Sequence, residues 1–405
     1  MPEKTKKIGV WAAILTSFLV LFWGGWRPAE SQAALTCTAN AAAPPLTRWE
    51  GRAEKVGDLV LFCTGGTPGV PQTNNFQVFL NTPISSNLLD QNVPPTTEAL
   101  LLWNDPAPVL QVLGFNVFQG IKGGSENTVI WPGVTFAPDS GGNVVFRIIN
   151  LRANANALPS PNLLPSQIQA LISVPGPSSL PINNPVQTVG FASRGSTFFT
   201  SDVLPGSFNL NFRENFATAF MKKIEVDASG DPIAQNIPGT IFPTESGFTT
   251  GFSLNDVTGR ADTGTRLVAR FKNLPDGTSL LVPTLVQSSN SALRARLLDK
   301  VNPDFTGGLP ALSGSLPICQ NTAHAVYEIE GAAGVTGAAV IDTFTIPVSA
   351  LGPSGFGGAQ VNGNLGPIST IGLMSREAPE PRFADLAPGA FPTPTCVTYL
   401  PLTIK

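Results

Sequence analysis

The segment VGDLVLFCTGGTP, residues 56–68, has a pattern that recurs along the rest of the chain. From Val56 to Phe62 it is rich in valine, leucine and phenylalanine, which is typical of a β-strand. Gly65-Gly66 follows as a turn signal. Similar short segments lie at residues 76–80, 100–103, 115–118, 128–130 and 144–149. We therefore predict a first β-domain over residues 34–192.

The same pattern continues to the end of the chain. Segments at 248–254, 266–271 and 279–286 predict a middle β-domain over residues 193–304. Segments at 323–330 and 340–349 predict a C-terminal β-domain over residues 305–405. Turn signals separate these segments at the spacing seen in β-sandwiches. The sequence thus predicts an all-β protein with two to three β-sandwich-like domains in series.

Two segments fit either a helix or a strand. In residues 291–301, Leu293, Leu297 and Val301 have helical spacing, but apolar and charged side chains also alternate as in a strand. Phe212, Phe216 and Phe220 likewise form a helical stripe, or one face of an extended strand. We favour strands in both places, with the phenylalanines in the core.

The N-terminus has the features of a secretory signal peptide. Three lysines precede an apolar run at residues 8–26, and small residues lie at Ser31 and Ala33. This arrangement predicts a signal peptide at residues 1–33 with cleavage after Ala33. The alternative is a membrane-spanning helix, for which the run is just long enough. We favour cleavage, which places the mature protein outside the cytoplasm, as a secreted, cell-surface or periplasmic protein without a membrane span.

Composition narrows the class of protein further. The 405 residues include 40 Gly, 38 Pro and 25 Phe, and only 13% are charged, against about 25% in an average domain. Apolar residues still make up 42%, which is enough for a core. Removal of residues 1–33 leaves 20 basic and 25 acidic residues, a net charge of −5. Such a chain offers no basic surface for nucleic acid.

All four cysteines lie in the predicted mature chain, and an even number in an exported protein predicts two disulfides. Three pairings are open. We expect Cys37 with Cys63 and Cys319 with Cys396, because each bond then ties one end of the chain. A structural zinc site is disfavoured, since there is no C-x-x-C motif and only one histidine.

The sequence contains no recognisable catalytic motif, so we predict a protein that is not an enzyme and assign no catalytic residue. No serine lies in a G-x-S-x-G elbow, and His324 is the only imidazole available to a catalytic triad. On a strand, His324, Val326, Glu328 and Glu330 share one face. We interpret that face as solvated, above a core that contains Tyr327 and Ile329.

Three weaker kinds of site have candidate residues in the sequence. Paired carboxylates for glycoside hydrolysis cannot be read from spacing, and the acidic residues of suitable type are Glu98, Glu214, Glu225, Glu245 and Asp256. No cofactor is predicted, although calcium bound in acidic loops is an alternative, through Asp227, Asp231, Asp256 and Asp262. Sugar-stacking platforms would need exposed rings, and the mature tryptophans Trp49, Trp103 and Trp131 are expected to be buried.

Four stretches resemble a known group of proteins: VGDLVLFCTGGTP from Val56, RIINLRANAN from Arg147, PINNPVQTVGF from Pro181 and STIGLMSREAPEPRF from Ser369. They are similar to a largely uncharacterised family of secreted β-rich proteins from environmental bacteria. The resemblance implies export and a β-architecture and brings no catalytic residues. Relatives often continue beyond the position of Cys396, which implies that a module is missing here.

The composition also favours assembly with other chains. Low charge, few lysines and β-strands at both mature ends leave sheet edges poorly protected against pairing. Residues 34–45 or 395–405 could each add as a strand to a neighbouring sheet. We therefore expect a secreted structural or adhesive protein of the cell surface or extracellular matrix that associates with itself. The alternative is an extracellular carbohydrate-binding or carbohydrate-cleaving protein, with a polysaccharide as its partner.

Overall fold

The computed structural model describes residues 35–176, 180–204, 206–224, 244–248, 258–290, 292–331, 340–352 and 358–391. The predicted signal peptide, Cys396 and the C-terminal residues 395–405 lie outside these ranges. The described chain is built from β-strands joined by turns and two short 3-10 helices, so the all-β prediction is confirmed. Within the described residues, no helix has the length and apolar character needed to cross a membrane.

Residues 35–193 form a first β-unit. Its strands are β1 (Thr36–Ala41), β2 (Leu46–Arg48), β3 (Glu54–Lys55), β4 (Leu59–Thr64), β5 (Gln72–Leu80), β6 (Thr96–Trp103), β7 (Val117–Lys122), β8 (Thr128–Phe136), β9 (Val144–Ile149), β10 (Arg152–Ala153), β11 (Ser166–Ser173), β12 (Ile182–Asn183) and β13 (Val186–Ser193). The 3-10 helices are Pro108–Leu110 and Ala155–Ala157. Eleven of these strands form one sheet, in the order β12-β1-β4-β9-β6-β7-β8-β5-β11-β13-β2, while β3 pairs with β10.

The eleven-stranded sheet curls so that its two ends approach each other. In a flat sheet β1 and β13 would lie roughly 40 Å apart, because eight strand spacings separate them. Instead, the Gln187 side chain of β13 donates a hydrogen bond to the Ala39 carbonyl of β1 (3.0 Å) and accepts one from the Ala41 amide (3.1 Å). The curl encloses a core in which the rings of Phe76, Phe136 and Phe146 contact one another.

The segment at residues 56–68 contributes β4 to the interior of this sheet. Along β4, Leu59, Leu61 and Cys63 are buried, whereas the alternate residues are more exposed. β1 pairs with β4 so that Cys37 lies opposite Cys63, and the two form a disulfide. The alternating pattern therefore reflects one face on the core and one toward solvent.

Residues 196–366 form a second β-unit. Its strands are β14 (Ser196–Leu204), β15 (Ser207–Glu214), β16 (Arg266–Lys272), β17 (Ser279–Leu281), β18 (Leu285–Gln287), β19 (Leu293–Val301), β20 (Gly307–Pro310), β21 (Ser315–Leu316), β22 (Ala323–Gly331), β23 (Thr343–Leu351) and β24 (Gln360–Gly366). One sheet has the order β14-β15-β23-β17-β21. The other has the order β18-β19-β22-β16-β24, with β20 also paired to β19.

A single core lies between these two sheets. Phe212 and Ile346 from one sheet pack in the same cluster as Leu267 and Tyr327 from the other. β15 pairs with β23, and β16 with β22, so each sheet contains strands from residues 193–304 and from residues 305–405. These two stretches of sequence thus contribute to common sheets.

The two segments that fit either a helix or a strand differ in the structure. β19 covers residues 293–301, which confirms the strand prediction there. β15 includes Phe212 but ends at Glu214, so Phe216 and Phe220 do not extend the strand as predicted. A turn in which the Ala219 amide bonds to the Phe216 carbonyl follows instead. All three phenylalanine side chains are buried.

Candidate functional site

His324 lies on β22, as predicted, but its face of the strand is not uniformly solvated. Val326 on that face is buried against Val268 and Phe305. The His324 ring lies 5.7 Å from the Phe305 ring, and burial lowers the pKa of His324. Within the described residues, no three His, Cys, Asp or Glu side chains cluster as metal ligands. The imidazole therefore packs against Phe305, and its burial favours the neutral form.

The candidate carboxylates that the structure describes have structural partners. Glu98 accepts a hydrogen bond from Arg152 Nε (3.0 Å), and Glu245 binds Arg48. Glu214 accepts from the backbone amides of Phe220 (2.6 Å) and Asp342 (2.8 Å). All three glutamates are buried and do not line an open cleft together. Glu225 and Asp256 lie outside the described residues.

The calcium alternative rests on four aspartates, of which one is described. Asp262 accepts a hydrogen bond from the Glu380 amide at 2.9 Å, so its carboxylate has a role in fixing the backbone. Asp227, Asp231 and Asp256 lie outside the described ranges.

The three tryptophans in the described part of the chain form no exposed platform. Trp131 is fully buried on β8, as expected. Trp49 is half-buried; its Nε1 donates to the Leu158 carbonyl, and Arg194 lies over its ring. Trp103 is half-buried against Phe115. A sugar ring would find no flat, free indole face at these three positions.

The described cysteines agree with the predicted disulfide pairing. Cys37 and Cys63 are bonded to each other. Cys319 is also in a disulfide, and Cys396, its predicted partner, lies outside the described residues.

A buried charge cluster lies where the two β-units meet, and sequence reasoning missed it as a site. Its buried members are Arg48, Glu54, Glu98, Arg152, Glu245, Glu380 and Arg382, and the half-buried Lys55 adjoins them. Arg48 Nε donates to Glu54 (3.0 Å), and Arg48 Nη1 donates to Thr265 Oγ1 (2.9 Å). Phe383 lies under the guanidinium, 4.7 Å from its central carbon. Pairing of this kind offsets the cost of burying the Arg48 charge.

The second half of the charge cluster is centred on Arg152. Its Nε lies 3.0 Å from Glu98 Oε1 and 2.8 Å from Glu380 Oε1. Its Nη2 donates to the Glu245 carbonyl at 3.0 Å. Glu98, Arg152 and Glu380 are at most 1% exposed. Two carboxyl groups therefore approach one guanidinium nitrogen away from water.

A cavity of about 60 Å³ adjoins the charge cluster and is lined by residues of both β-units. Lys55 lines it and donates to the Ser246 carbonyl at 2.8 Å. Burial lowers the pKa of Lys55 to about 7, with the positive charge of Arg152 acting in the same direction. The cavity has room for more than one water molecule.

A candidate interaction surface is the edge strand β14, at one end of the five-stranded sheet. β15 pairs along one side of β14, and no strand of the described residues pairs along the other. Thr197, Phe199 and Thr200 are exposed, and Phe199 is 46% accessible. The strand is nine residues long, and its sequence STFFTSDVL contains one charged residue and no lysine or proline.

Comparisons with known proteins give no family. No protein-family model matches the chain, and no curated protein matches it. Among solved structures, the C-terminal domain of the Streptococcus agalactiae AgI/II polypeptide BspA matches at 6% identity with a TM-score of 0.26, over 81% of this chain and 95% of that one. The C-terminal domain of the Streptococcus pyogenes antigen I/II-family protein AspA matches at 7% identity with a TM-score of 0.31, over 87% and 98%. The B domain of a biofilm-associated protein matches at 8% identity with a TM-score of 0.20, over 79% and 72%. TM-scores this low establish neither a shared fold nor a shared function.

Proposed function

We propose that this protein is an exported structural or adhesive component of the cell surface or extracellular matrix, and that it self-associates by β-strand addition. The observation that carries the proposal is the edge strand β14. Backbone N–H and C=O groups along a free edge can pair with a strand of another chain. The predicted signal peptide, the disulfides and the low content of charge are consistent with work outside the cytoplasm.

β14 has few of the devices that protect natural sheet edges: its one charged residue is Asp202, and the irregularity in its pairing with β15 lies at the end of the strand, between Asp202 and Leu204. Such edges are usually short, or carry lysine, proline or a bulge along their length. Other terminal strands of the sheets are short: β2 and β18 have three residues each, and β12 and β21 have two. β24 has seven residues, and its Asn364 side chain donates to the Ala384 carbonyl of the adjoining C-terminal segment. β14 is longer than any of these and has an exposed phenylalanine.

Of the two segments proposed as donor strands, the N-terminal one is already paired within its own sheet. β1, within the predicted donor at residues 34–45, is paired on both sides, with β4 and with β12. Its backbone is therefore engaged in its own sheet. Residues 395–405 lie outside the described ranges and remain the proposed donor.

Electron microscopy of residues 34–405, purified with disulfides intact, tests the proposal. We expect filaments or sheets from the unmodified protein. Phe199→Lys should prevent assembly, because a lysine on a free edge must be desolvated when another strand pairs there. Phe62→Lys is the matched control: Phe62 is 48% exposed, but β4 is an interior strand. Monomers of the unmodified protein at high concentration would contradict self-association.

A truncation identifies the donor. A chain ending at Cys396 keeps all four cysteines but lacks most of the proposed strand. If residues 397–405 donate the strand, this chain should remain monomeric alone and cap the ends of assemblies formed by the full-length protein. Normal assembly of the truncated chain would show that another segment pairs with β14.

The carbohydrate alternative receives no support from the described residues. Trp131 is buried, and Glu98, Glu214 and Glu245 are held by hydrogen bonds inside the protein. A glycosidase needs two carboxyl groups on either side of an accessible bond.

A further inference from the structure

Residues 378–384 connect the two β-units through their backbone. Toward the first unit, the Arg52 amide donates to the Arg382 carbonyl (2.8 Å), and the Ala384 amide donates to the Glu50 carbonyl (2.8 Å). Toward the second unit, the Asp262 amide donates to the Glu380 carbonyl (2.7 Å). We call residues 378–384 the latch segment. Its release would remove contacts to both β-units together.

The side chain of Glu380 anchors the latch segment inside the charge cluster. Glu380 Oε1 and Glu98 Oε1 lie 2.8 Å and 3.0 Å from the same Arg152 Nε. The two oxygens are therefore no more than about 6 Å apart, the range in which like charges interact strongly. Both glutamates are 0% exposed.

If both groups are ionised, most of their buried oxygens lack hydrogen-bond donors. Glu98 Oε2 and both carboxyl oxygens of Glu380 are buried without a hydrogen-bond partner. A buried oxygen without a donor is costly, and two neighbouring carboxylates cannot supply one to each other. One proton on the pair supplies the missing donor and removes one negative charge.

The surrounding charges do not replace that proton. Arg152 on β10 and Arg382 on the latch segment face Glu380 with positive charge. Arg382 Nη2 donates to the carbonyls of Ser85 (2.8 Å) and Leu373 (2.9 Å), and no hydrogen bond joins Arg382 to the Glu380 carboxyl group. Asp262 adds negative charge on the other side, where its Oδ2 accepts from the Glu380 amide at 2.9 Å.

Arg152 is itself shared among acidic groups. Besides Glu98 and Glu380, the carboxylate of Glu245 interacts with it electrostatically, and the Glu245 carbonyl accepts from its Nη2. Lys55 faces Arg152 from β3 and adds positive charge when it is protonated. The carboxyl pair thus has no guanidinium to itself.

We propose that Glu98 and Glu380 share one proton, and that this buried carboxylic acid–carboxylate pair is a pH-sensitive latch holding residues 378–384 against both β-units. Burial is the main reason that the pKa of Glu380 lies well above its ordinary value, and the charge of Glu98 raises it further. The proposal concerns the closure of the fold and does not depend on self-association.

The direction in which pH changes the latch equilibrium depends on which state, closed or released, binds the proton more tightly. An acid whose pKa is raised in the closed state keeps a proton that it loses on release. Between the ordinary pKa of a glutamate and the raised value, increasing pH therefore favours release. One proton per opening changes the opening equilibrium by up to tenfold per pH unit. The latch is closed in acid and weakens toward alkaline pH.

Infrared spectroscopy tests for the proton itself. We expect a protonated-carboxyl C=O band from the unmodified protein at neutral pH, reduced in Glu380→Gln. Glu214→Gln separates the contribution of Glu214, another buried acid with a raised pKa. A carboxyl band that is the same in Glu380→Gln and the unmodified protein would overturn the shared proton.

Hydrogen exchange tests the latch. The amides to follow are Arg52, Phe383 and Ala384, which bond into or out of the latch segment. After correction for intrinsic exchange, their protection should fall by up to tenfold per pH unit through the titration of the pair. Glu380→Gln, which mimics the protonated acid, should make protection independent of pH. Glu377→Gln, at an exposed glutamate on the same stretch, should behave as the unmodified protein.

Two results would overturn the latch. One is pH-independent protection in the unmodified protein from pH 5 to 10, and the other is an equal pH dependence in Glu380→Gln. If Glu380→Gln does not fold, Glu98→Gln serves instead, because an amide at residue 98 can donate to an ionised Glu380. It should also abolish the pH dependence, and failure to do so contradicts the shared proton.

Discussion

Arg48 and Glu245 form a bidentate ion pair across 197 residues of sequence, with Nη1–Oε1 at 2.7 Å and Nη2–Oε2 at 2.9 Å. Arg48 ends β2 in the first β-unit, and Glu245 lies on the described stretch 244–248. Both are 1% exposed. Parallel N–H···O bonds of this kind fix orientation as well as distance. The pair thus sets how the stretch around Glu245 docks on the first unit.

We predict that Arg48→Met destabilises the protein by about 3–5 kcal/mol, because it leaves Glu54 and Glu245 buried without their cation. The free energy of unfolding in urea measures this effect. Arg296→Met is the control: its partner Glu330 lies 2.8 Å away, but the two side chains are 33% and 35% exposed. We expect less than about 1 kcal/mol there. Equal losses in the two variants would contradict a structural role for the charge cluster.

Loss of the Cys37–Cys63 bond should destabilise the first β-unit. The bond closes a loop with a sequence separation of 26, for which the chain-entropy model gives roughly 3–4 kcal/mol. The double variant Cys37→Ala, Cys63→Ala isolates this bond from the one at Cys319. Chemical unfolding under non-reducing conditions measures the difference. An unchanged midpoint and slope would show that the strand pairing alone fixes β1.

Lys55 should make stability rise with pH above neutrality. Its pKa in the folded protein is about 7, below the ordinary 10.5, so the unfolded chain binds the extra proton between these values. The contribution grows by up to about 1.4 kcal/mol per pH unit as pH rises from 7 to 10.5 and is absent below 7. The carboxyl pair of Glu98 and Glu380 contributes an opposite slope, so the quantity to measure is the difference in the free energy of urea unfolding between the unmodified protein and Lys55→Met at several pH values. That difference should show the slope of Lys55, which the Lys55→Met variant lacks. Lys223→Met, at an exposed lysine, should retain it.

Glu214 should have the opposite effect at lower pH. Burial raises the pKa of Glu214 to about 7 from an ordinary 4.5, with the charge of Asp342 also raising it. The folded state then holds a proton that the unfolded chain has lost. Its contribution to stability is full below pH 4.5 and declines as pH rises to about 7. Glu214→Gln should remove this decline in a pH series of thermal unfolding, whereas Glu126→Gln, at an exposed residue, should not.

The strands were predictable because their pattern is local. Along β4 and β22, side chains alternate between core and outer face, and that period of two can be read directly from the residues. The strand end at Glu214 was not predictable from the phenylalanine spacing. Phe216 and Phe220 are buried as part of a turn, and a turn can place apolar residues in the core as well as a strand can.

The sequence contains a weak indication of the buried charge cluster, which the sequence analysis did not identify. Arg152 stands within RIINLRANAN, in a chain with few charges, and Glu380 and Arg382 flank a proline in APEPRF. Charged residues inside such stretches are usually assigned to a solvent face. Which of them meet depends on backbone closure, since Glu98, Arg152 and Glu380 come from separate parts of the chain.

The sequence by itself determined the β-architecture, because strand period, turn residues and core composition are local properties. It also predicted the Cys37–Cys63 pair, which the tertiary structure contains. Only the tertiary structure decided that β14 lies at a sheet edge and that two glutamates share one arginine nitrogen. Strand order and charge pairing are set by contacts between residues far apart in the chain, and the free energy of those contacts has no signature in local spacing.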